Sequence, residues 1–350
     1  MPSRSERAAV RLSAVVVAFG KDEFLTDCVS ALGAALANVD GETELVVVAN
    51  SLSDSGRERL RRLAPAAVLV AGTPRLGFAG GVTAGIAAAR GSWIAVVNDD
   101  CVVQSDALAE LLATGERRRE VGSVAASIRF AARPDIVNSA GIEIDELGVA
   151  RERRLGQPVS AVESQAVEVF GASATLALYR RRMLDEVGAF DASFFAYLED
   201  ADLAWRARLA GWSCLLAPRA VAFHRHSATL GHRSGAKHRL VGRNRVRMLA
   251  KNADGRLLRR RLPAILAYDL LHVAYVAAVD RTPAPLAGRL EGLREWRAYR
   301  AAGRPHRRAL ALTAPPGIRA ALRRNRVYRV AVPVRPTSRA EPVGAGRASP

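Results

Sequence analysis

Lysine, cysteine and aromatic residues are all scarce in this chain, and each scarcity excludes something. Only three of its 52 basic residues are lysines, Lys21, Lys237 and Lys251, so its basic charge is almost wholly arginine. Its three cysteines, Cys28, Cys101 and Cys214, stand isolated, with no CxxC pair and no metal-ligand spacing. That excludes a disulfide framework and a structural zinc module, and it fits a reducing compartment. His226, His232 and His238 lack a zinc-ligand spacing and stand far from any cysteine, so they do not suggest zinc either. Aromatics are 5% of residues, and no recognition helix or RNP-like strand is visible, so no nucleic-acid partner is expected. No apolar segment opens the chain, so no secretory signal is expected. The phosphate-loop GK[ST] and the dinucleotide GxGxxG are also missing.

What is present is a chain of 350 residues, 49% hydrophobic, carrying a formal net charge of +18. That length allows one large domain with an extension, or two domains. The charge favours contact with something anionic, namely nucleic acid, acidic headgroups or phosphorylated substrates, and a basic nucleic-acid-binding protein is the rival reading of another class.

The first hundred residues alternate strand and helix patterns. Leu12 to Ala18, Glu44 to Ala49 and Val68 to Val70 read as strands, and Ser92 to Val97 as a fourth, buried one. Between them lie helices over Asp22 to Leu36, from a Ser53 or Asp54 cap to Leu63, and over Gly81 to Arg90. This succession predicts an α/β fold with a mostly parallel central sheet and helices on both faces. The pattern then becomes mixed. Val121 to Ile128, Gly141 to Val149, Val167 to Tyr179, Trp212 to Leu216 and Ala220 to His224 look extended. Arg180 to Val187 and Asp200 to Ala210 look helical.

From Arg233 the chain reads as helical and very basic. Leu262 to Val279 is almost continuously apolar, near the short limit for a membrane span of about 17–25 residues. Asp269 within it argues against spanning, and favours a helix packed on the domain or lying in the membrane interface. The organisation expected is a tail at 1–11, a catalytic domain at 12–252, a basic helical extension at 253–330 and a disordered tail at 331–350.

Three motifs carry chemistry. Asn98-Asp99-Asp100 follows a buried strand, where an open α/β sheet places its ligands, and its hard oxygens suit a divalent cation. A solvated turn would look the same. Gly77-Phe78-Ala79-Gly80-Gly81 opens a helix and would let a diphosphate or nucleoside approach the backbone, or it is merely a tight turn. Glu199-Asp200-Ala201-Asp202 begins a helix behind an apolar run. Its acids complement the helix dipole, or one of them is a desolvated general base. His224, at a strand end, is either packed or a metal ligand.

Together these segments resemble the family 2 glycosyltransferases of the GT-A fold, particularly the rhamnosyltransferase-like, nonprocessive branch. The resemblance runs from Leu12 to Asn252. It rests on Val15-Val16-Val17-Ala18-Phe19, Val46-Val47-Val48-Ala49-Asn50-Ser51, the glycine segment and Val96-Val97-Asn98-Asp99-Asp100. It continues through Gly188-Ala189-Phe190-Asp191, Phe195 to Leu203, Phe223-His224 and Arg243-Asn244.

The resemblance implies roles for the matched residues. Asp100 and His224 would hold Mg²⁺ or Mn²⁺, and Asp200 would be the catalytic base. Glu199, Asp202 and Arg206 would support it. Phe19, Asn50, Gly77, Phe78, Gly80, Gly81, Asn98 and Asp99 would line the nucleotide-sugar donor. The implied reaction is one inverting transfer of a sugar, such as the deoxysugar rhamnose, to a cell-envelope or polyprenyl-linked glycan. The enzyme would be cytoplasmic and peripheral, on the anionic inner face of the plasma membrane. Where the family usually has Asp, Ala49 stands at the nucleotide-base contact. Arg75 and Thr83 replace common asparagines, and Asn98 a first aspartate. The QxxRW element of processive synthases is absent. A nucleotidyltransferase is the nearest enzymatic rival, but Phe19-Gly20-Lys21-Asp22 is a poor version of its basic, glycine-rich loop.

Overall fold

The computed structural model describes residues 10–19, 22–225, 234–303, 310 and 312–316. Apart from Val10 and Arg11, the tails expected at 1–11 and 331–350 lie outside these residues. So do His226 and His232.

Strands β1 (Leu12–Ala18), β2 (Thr43–Ala49) and β3 (Val68–Ala71) alternate with helices α1 (Asp22–Ala37), α2 (Asp54–Leu63) and α3 (Gly77–Ala88), and β4 (Trp93–Asn98) follows. These strands pair in parallel in the order β3-β2-β1-β4. Val15 and Val17 of β1 enter one core with α3, while Leu12, Ala14 and Val16 enter another with α1. Burial on both faces explains why the strand reads as a continuous apolar run. Each buried valine adds about 1.5–3 kcal/mol relative to an exposed one. Ser53 caps α2, its Oγ accepting the Gly56 N–H at 2.9 Å.

The second half contains β5 (Cys101–Val103), α4 (Ala107–Gly115), β6 (Val121–Phe130), β7 (Arg133–Ser139), β8 (Ile142–Ile144) and β9 (Ala150–Glu152). It continues with β10 (Val167–Val169), β11 (Leu176–Arg180), α5 (Arg181–Val187), α6 (Glu199–Ala210) and β12 (Ser213–His224). Here the sheet becomes mixed. β11 lies antiparallel between β4 and β6, while β12 runs parallel to β6.

Three local expectations change. The helix expected from Gly81 starts at Gly77. The extended stretch from Gly141 is the β8–β9 hairpin. The two strands expected around Leu216 and Val221 are one strand, β12, with a register shift between Ala217 and Val221. Pro218 lies in that shift, where a missing N–H does least harm.

Helices α7 (Gly235–Asn252), α8 (Gly255–Asp280), α9 (Ala284–Arg294) and α10 (Trp296–Ala302) complete the described structure. One side of α7 packs on the α/β domain, contributing Met248 and Leu249 to its core. Its other side meets α9 so closely that a Cβ on Gly288 or Gly292 would collide with α7 backbone or Val246.

The strand order places the site. From β1 the chain moves outward to β2 and β3, then crosses back to β4 on the other side of β1. The crevice at such a reversal, beyond the strands' carboxyl ends, is where open α/β sheets bind ligands. Phe19, Asn50 and Asn98 to Asp100 all lie at those ends.

Candidate active site

The crevice is closed at its base by Asp99, whose Oδ2 accepts the Phe19 N–H at 2.8 Å and so joins the ends of β4 and β1. Asp100 turns the other way. Its Oδ1 lies 3.1 Å from His224 Nε2 at the end of β12, and both residues are buried. The antiparallel pairing of β5 with β12, which sets His224 opposite Cys101, creates this contact. On its far side, His224 Nδ1 lies 2.8 Å from Asn138 Oδ1. An amide oxygen only accepts, so Nδ1 donates to it, and this contact turns Nε2 toward Asp100. Burial tends to raise the Asp100 carboxyl, but attraction and hydrogen bonding from His224 outweigh it and hold the pKa below the usual value.

This donor set passes a test for a hard divalent cation. A carboxylate oxygen and an imidazole lone pair repel at 3.1 Å unless a proton or cation lies between them. That spacing also matches adjacent ligands about 2.1 Å from one small ion. Asn98 Oδ1, a further neutral oxygen at the same strand end, is buried without a hydrogen-bond partner, as is Asn50 Oδ1. Leaving such an acceptor unpaired costs about 1–3 kcal/mol, a cost that a ligand with donor groups removes. Among the described residues, no group of three or more acidic, histidine or cysteine side chains converges on one point.

The glycine segment has structural reasons for its composition. Gly77 adopts φ of +61°, and a Cβ there would collide with Phe195 O. At Gly81 a Cβ would fall 2.7 Å from Val17 Cγ1, so this glycine lets α3 settle on β1. Asn50 Nδ2 donates to Gly77 O at 2.7 Å, fixing the start of α3 over the strand ends. Gly80 packs on Leu76, and the Phe78 ring meets Phe190 edge-on at 6.5 Å. Thr83 Oγ1 donates to Phe190 O at 2.8 Å, which gives that residue a packing role.

A strained turn delivers the acidic cluster. Phe195, Tyr197 and Leu198 all have positive φ, which costs of order 1–3 kcal/mol per residue. Asn244 of α7 holds the turn, with Nδ2 within 2.8–2.9 Å of the carbonyls of Phe194, Ala196 and Tyr197. The Ala79 N–H also donates to Phe195 O at 3.0 Å.

Beyond the turn, the three acids separate. Asp202 is fully engaged, accepting from Arg206 Nε, Lys251 Nζ and Asn252 Nδ2. Arg206 then donates to the carbonyls of Val187, Gly188 and Ala189. Together these two residues tie α6 to the end of α5 and the segment after it. Asp200 faces inward, accepting from the Ala174 N–H at 3.2 Å and the Ala201 N–H at 2.8 Å. Burial raises its pKa, and those N–H groups offset part of the rise. Glu199 is buried with Oε2 unpartnered, and burial together with the Asp200 charge pushes it well above the carboxylate range.

Asp200 and the strand-end triplet are bridged by one dipeptide. Ala174 N–H donates to Asp200 Oδ2, and Thr175 O accepts the Asn98 N–H at 3.0 Å.

Three further residues belong to this neighbourhood and escaped the sequence reading. Asn138 orients His224. Glu152, from the three-residue β9, accepts from the hydroxyls of Ser139 and Ser173, and burial plus the Asp200 charge raise it to about 8. Lys237 Nζ sits 5.0 Å from the Tyr197 ring centre, and burial lowers it to about 8. No local motif marks Asn138 or Glu152. Lys237 had one available signal, its rarity among so many arginines.

A Rossmann-like sheet with a carboxylate–imidazole pair at its switch point and a desolvated carboxylate across the crevice defines a GT-A transferase domain. Residues 10–242 match the model of the family described as Glycosyltransferase like family 2, and the chain belongs to that family. The uncharacterized protein y4gI of Sinorhizobium fredii is 30% identical over 171 residues, 47% of this chain and 18% of that protein. The chain therefore spans less than a fifth of that relative's length. Among solved structures, GalNAc-T7 with UDP, GalNAc and Mn²⁺ superposes with a TM-score of 0.54 at 15% identity, covering 71% of this chain and 48% of that one. The mannosyltransferase PcManGT from Pyrobaculum calidifontis, in complex with GDP-Man and Mn²⁺, gives 0.51 at 18% identity over 86% of both chains. At these identities the likeness establishes the fold.

Proposed function

We propose that this chain is an inverting, metal-dependent glycosyltransferase of the hexosyltransferase type. It moves one sugar from a nucleotide donor to a glycan or polyprenyl-linked acceptor of the cell envelope, at the cytoplasmic face of the membrane. The observation that carries the reading is the Ala174–Thr175 bridge, which ties a half-buried carboxylate to the strand end bearing the Asp100–His224 pair.

Asp100 and His224 would hold Mg²⁺ or Mn²⁺. A divalent cation bound there offsets the charge that develops on a leaving nucleoside diphosphate. Phe19, Asn50, Asn98, Asp99 and the start of α3 border the donor. Asn50 Oδ1 and Asn98 Oδ1 await donor groups such as sugar or ribose hydroxyls. Asp200 takes the proton from the acceptor hydroxyl as it attacks the anomeric carbon from the face opposite the diphosphate. One such displacement inverts the anomeric configuration. Burial and the Asp200 charge raise both Glu199 and Glu152, which disfavours further negative charge beside Asp200. Asp202, Arg206 and Asn244 keep the turn in place.

A thermal-shift screen of UDP-, GDP- and dTDP-sugars with and without Mn²⁺ tests the proposal. One nucleotide series should raise the midpoint only with the metal, a stabilisation of about 2.7 kcal/mol at a hundredfold excess over Kd. No shift with any donor would overturn it.

A further inference from the structure

From Leu262 to Val279, helix α8 is apolar apart from Asp269 and His272, yet most of this stretch is uncovered. Its inner face is anchored by Ile265, Val276 and Asp269, whose Oδ1 accepts from Arg245 Nε and Arg289 Nη2 at 2.8 Å each. Its outer face bears Leu262, Leu266, Leu270, Leu271, Tyr275 and Val279, with Leu270 70% and Leu271 71% exposed. From Leu262 to Val279 that face carries no charge. A helix apolar all round is ordinarily buried, and an apolar surface of this extent marks a docking site. Beside it, α9 exposes Leu286, Leu290 and Leu293, which widens the face.

The rim indicates the occupant. Exposed arginines flank the apolar face at both ends: Arg256, Arg259 and Arg260 before it, then Arg281, Arg294 and Arg297 after it. The neighbouring acids already have partners: Asp269 as above, Asp280 with His238, Glu291 with Arg239 and Glu295 with Arg247. An apolar face ringed by unopposed guanidinium groups complements an anionic bilayer surface: leucines enter the acyl boundary and arginines meet the phosphates.

We propose that the outer faces of α8 and α9 lie in the plane of an anionic membrane and dock the enzyme there. Docking also positions the active site, because consecutive residues of α7 serve both. Asn244 holds the carbonyls of the turn before Asp200, and Arg245 binds Asp269 of α8. An acceptor anchored in the same bilayer would reach Asp200 from that side. The docking stands on the surface alone; only the lipid-anchored acceptor rests on the transferase reading.

Co-sedimentation of the full chain with phosphatidylcholine vesicles, with and without phosphatidylglycerol, tests the docking. Wild type should pellet with the anionic vesicles and remain largely in solution with neutral ones. Leu270→Glu/Leu271→Glu should abolish binding, and Arg259→Ala/Arg260→Ala should weaken it about thirtyfold. The leucine pair points outward, so an unchanged thermal midpoint and an unchanged donor-induced shift will confirm that the fold and donor site are intact. Wild type left in the supernatant, or leucine variants that bind like wild type, would overturn the proposal. So would a lipid-free dimer dissolved by the leucine substitutions, which would assign the face to a second copy of the chain. Vesicle binding without any donor-induced shift would instead refute the transferase reading and leave the docking intact.

Discussion

Replacing Asn244 with alanine tests whether the turn before Asp200 is held open by a single side chain. In the native protein the Asn244 amide serves the carbonyls of Phe194, Ala196 and Tyr197. Phe194 O keeps a second donor, Arg243 Nη2 at 3.0 Å, so the substitution orphans two carbonyls. At about 1–3 kcal/mol for each buried group left unsatisfied, the loss is about 2–6 kcal/mol. Three positive-φ residues strain the same turn, at a cost comparable to the restraint removed. The turn should therefore relax locally while the sheet remains folded. In a chain of this size the midpoint should fall by about 4–8 °C. Donor affinity, set at the strand ends, should change little, while kcat falls at least tenfold as Asp200 loses its position. Calorimetry, donor titration and donor turnover together separate these effects. A midpoint within 1 °C of wild type with unchanged kcat would refute the claim that Asn244 supports the turn.

The remaining predictions concern other parts of the site. Gly77→Ala puts a Cβ against Phe195 O at a positive φ, so it should lower the midpoint by several degrees and weaken donor binding. Asn138→Ala removes the acceptor behind His224 and should weaken metal-dependent donor binding about 10- to 100-fold, read by titration with Mn²⁺. For Glu152, the folded pKa of about 8 lies above the ordinary carboxylate value. Its contribution to stability is therefore full below that ordinary value and is lost as pH rises through about 8. The midpoint advantage of Glu152→Gln over wild type should grow between pH 5 and pH 8; a constant difference would show that Glu152 ionises normally.

Much of the α/β half could be read from the chain because its causes are local. Apolar runs mark β1, β2 and β4, and Ser53 marks the start of α2. The acidic start of α6 was visible as well, and Asp269, read as a sign that α8 packs on the domain or lies in the membrane interface, binds Arg245 and Arg289. What escaped depends on distant partners. The antiparallel placement of β11 between β4 and β6 joins segments some fifty to eighty residues apart, and nothing in its own pattern specifies that pairing. Gly77 and Gly81 disguised the start of α3, because their role is close approach to Phe195 and Val17 rather than helix propensity. Asn138 and Glu152 are ordinary polar residues; Asn138 joins the site when β7 and β12 flank β6, and Glu152 when the β8–β9 hairpin brings it to Ser139 and Ser173. The division among Glu199, Asp200 and Asp202 was equally hidden, since Lys251 and Asn252 claim Asp202 from far along the chain.

The central claim is that Asp200 acts as the base opposite a diphosphate held at Asp100 and His224. Its most direct test is donor turnover by Asp200→Asn at saturating nucleotide sugar and Mn²⁺, alongside donor titration of the same variant. The substitution keeps the shape of the side chain and removes its basicity. It should reduce kcat by about 10²–10⁴-fold while donor affinity stays within threefold of wild type. Turnover within a few-fold of wild type, or loss of donor binding in step with kcat, would contradict the assignment.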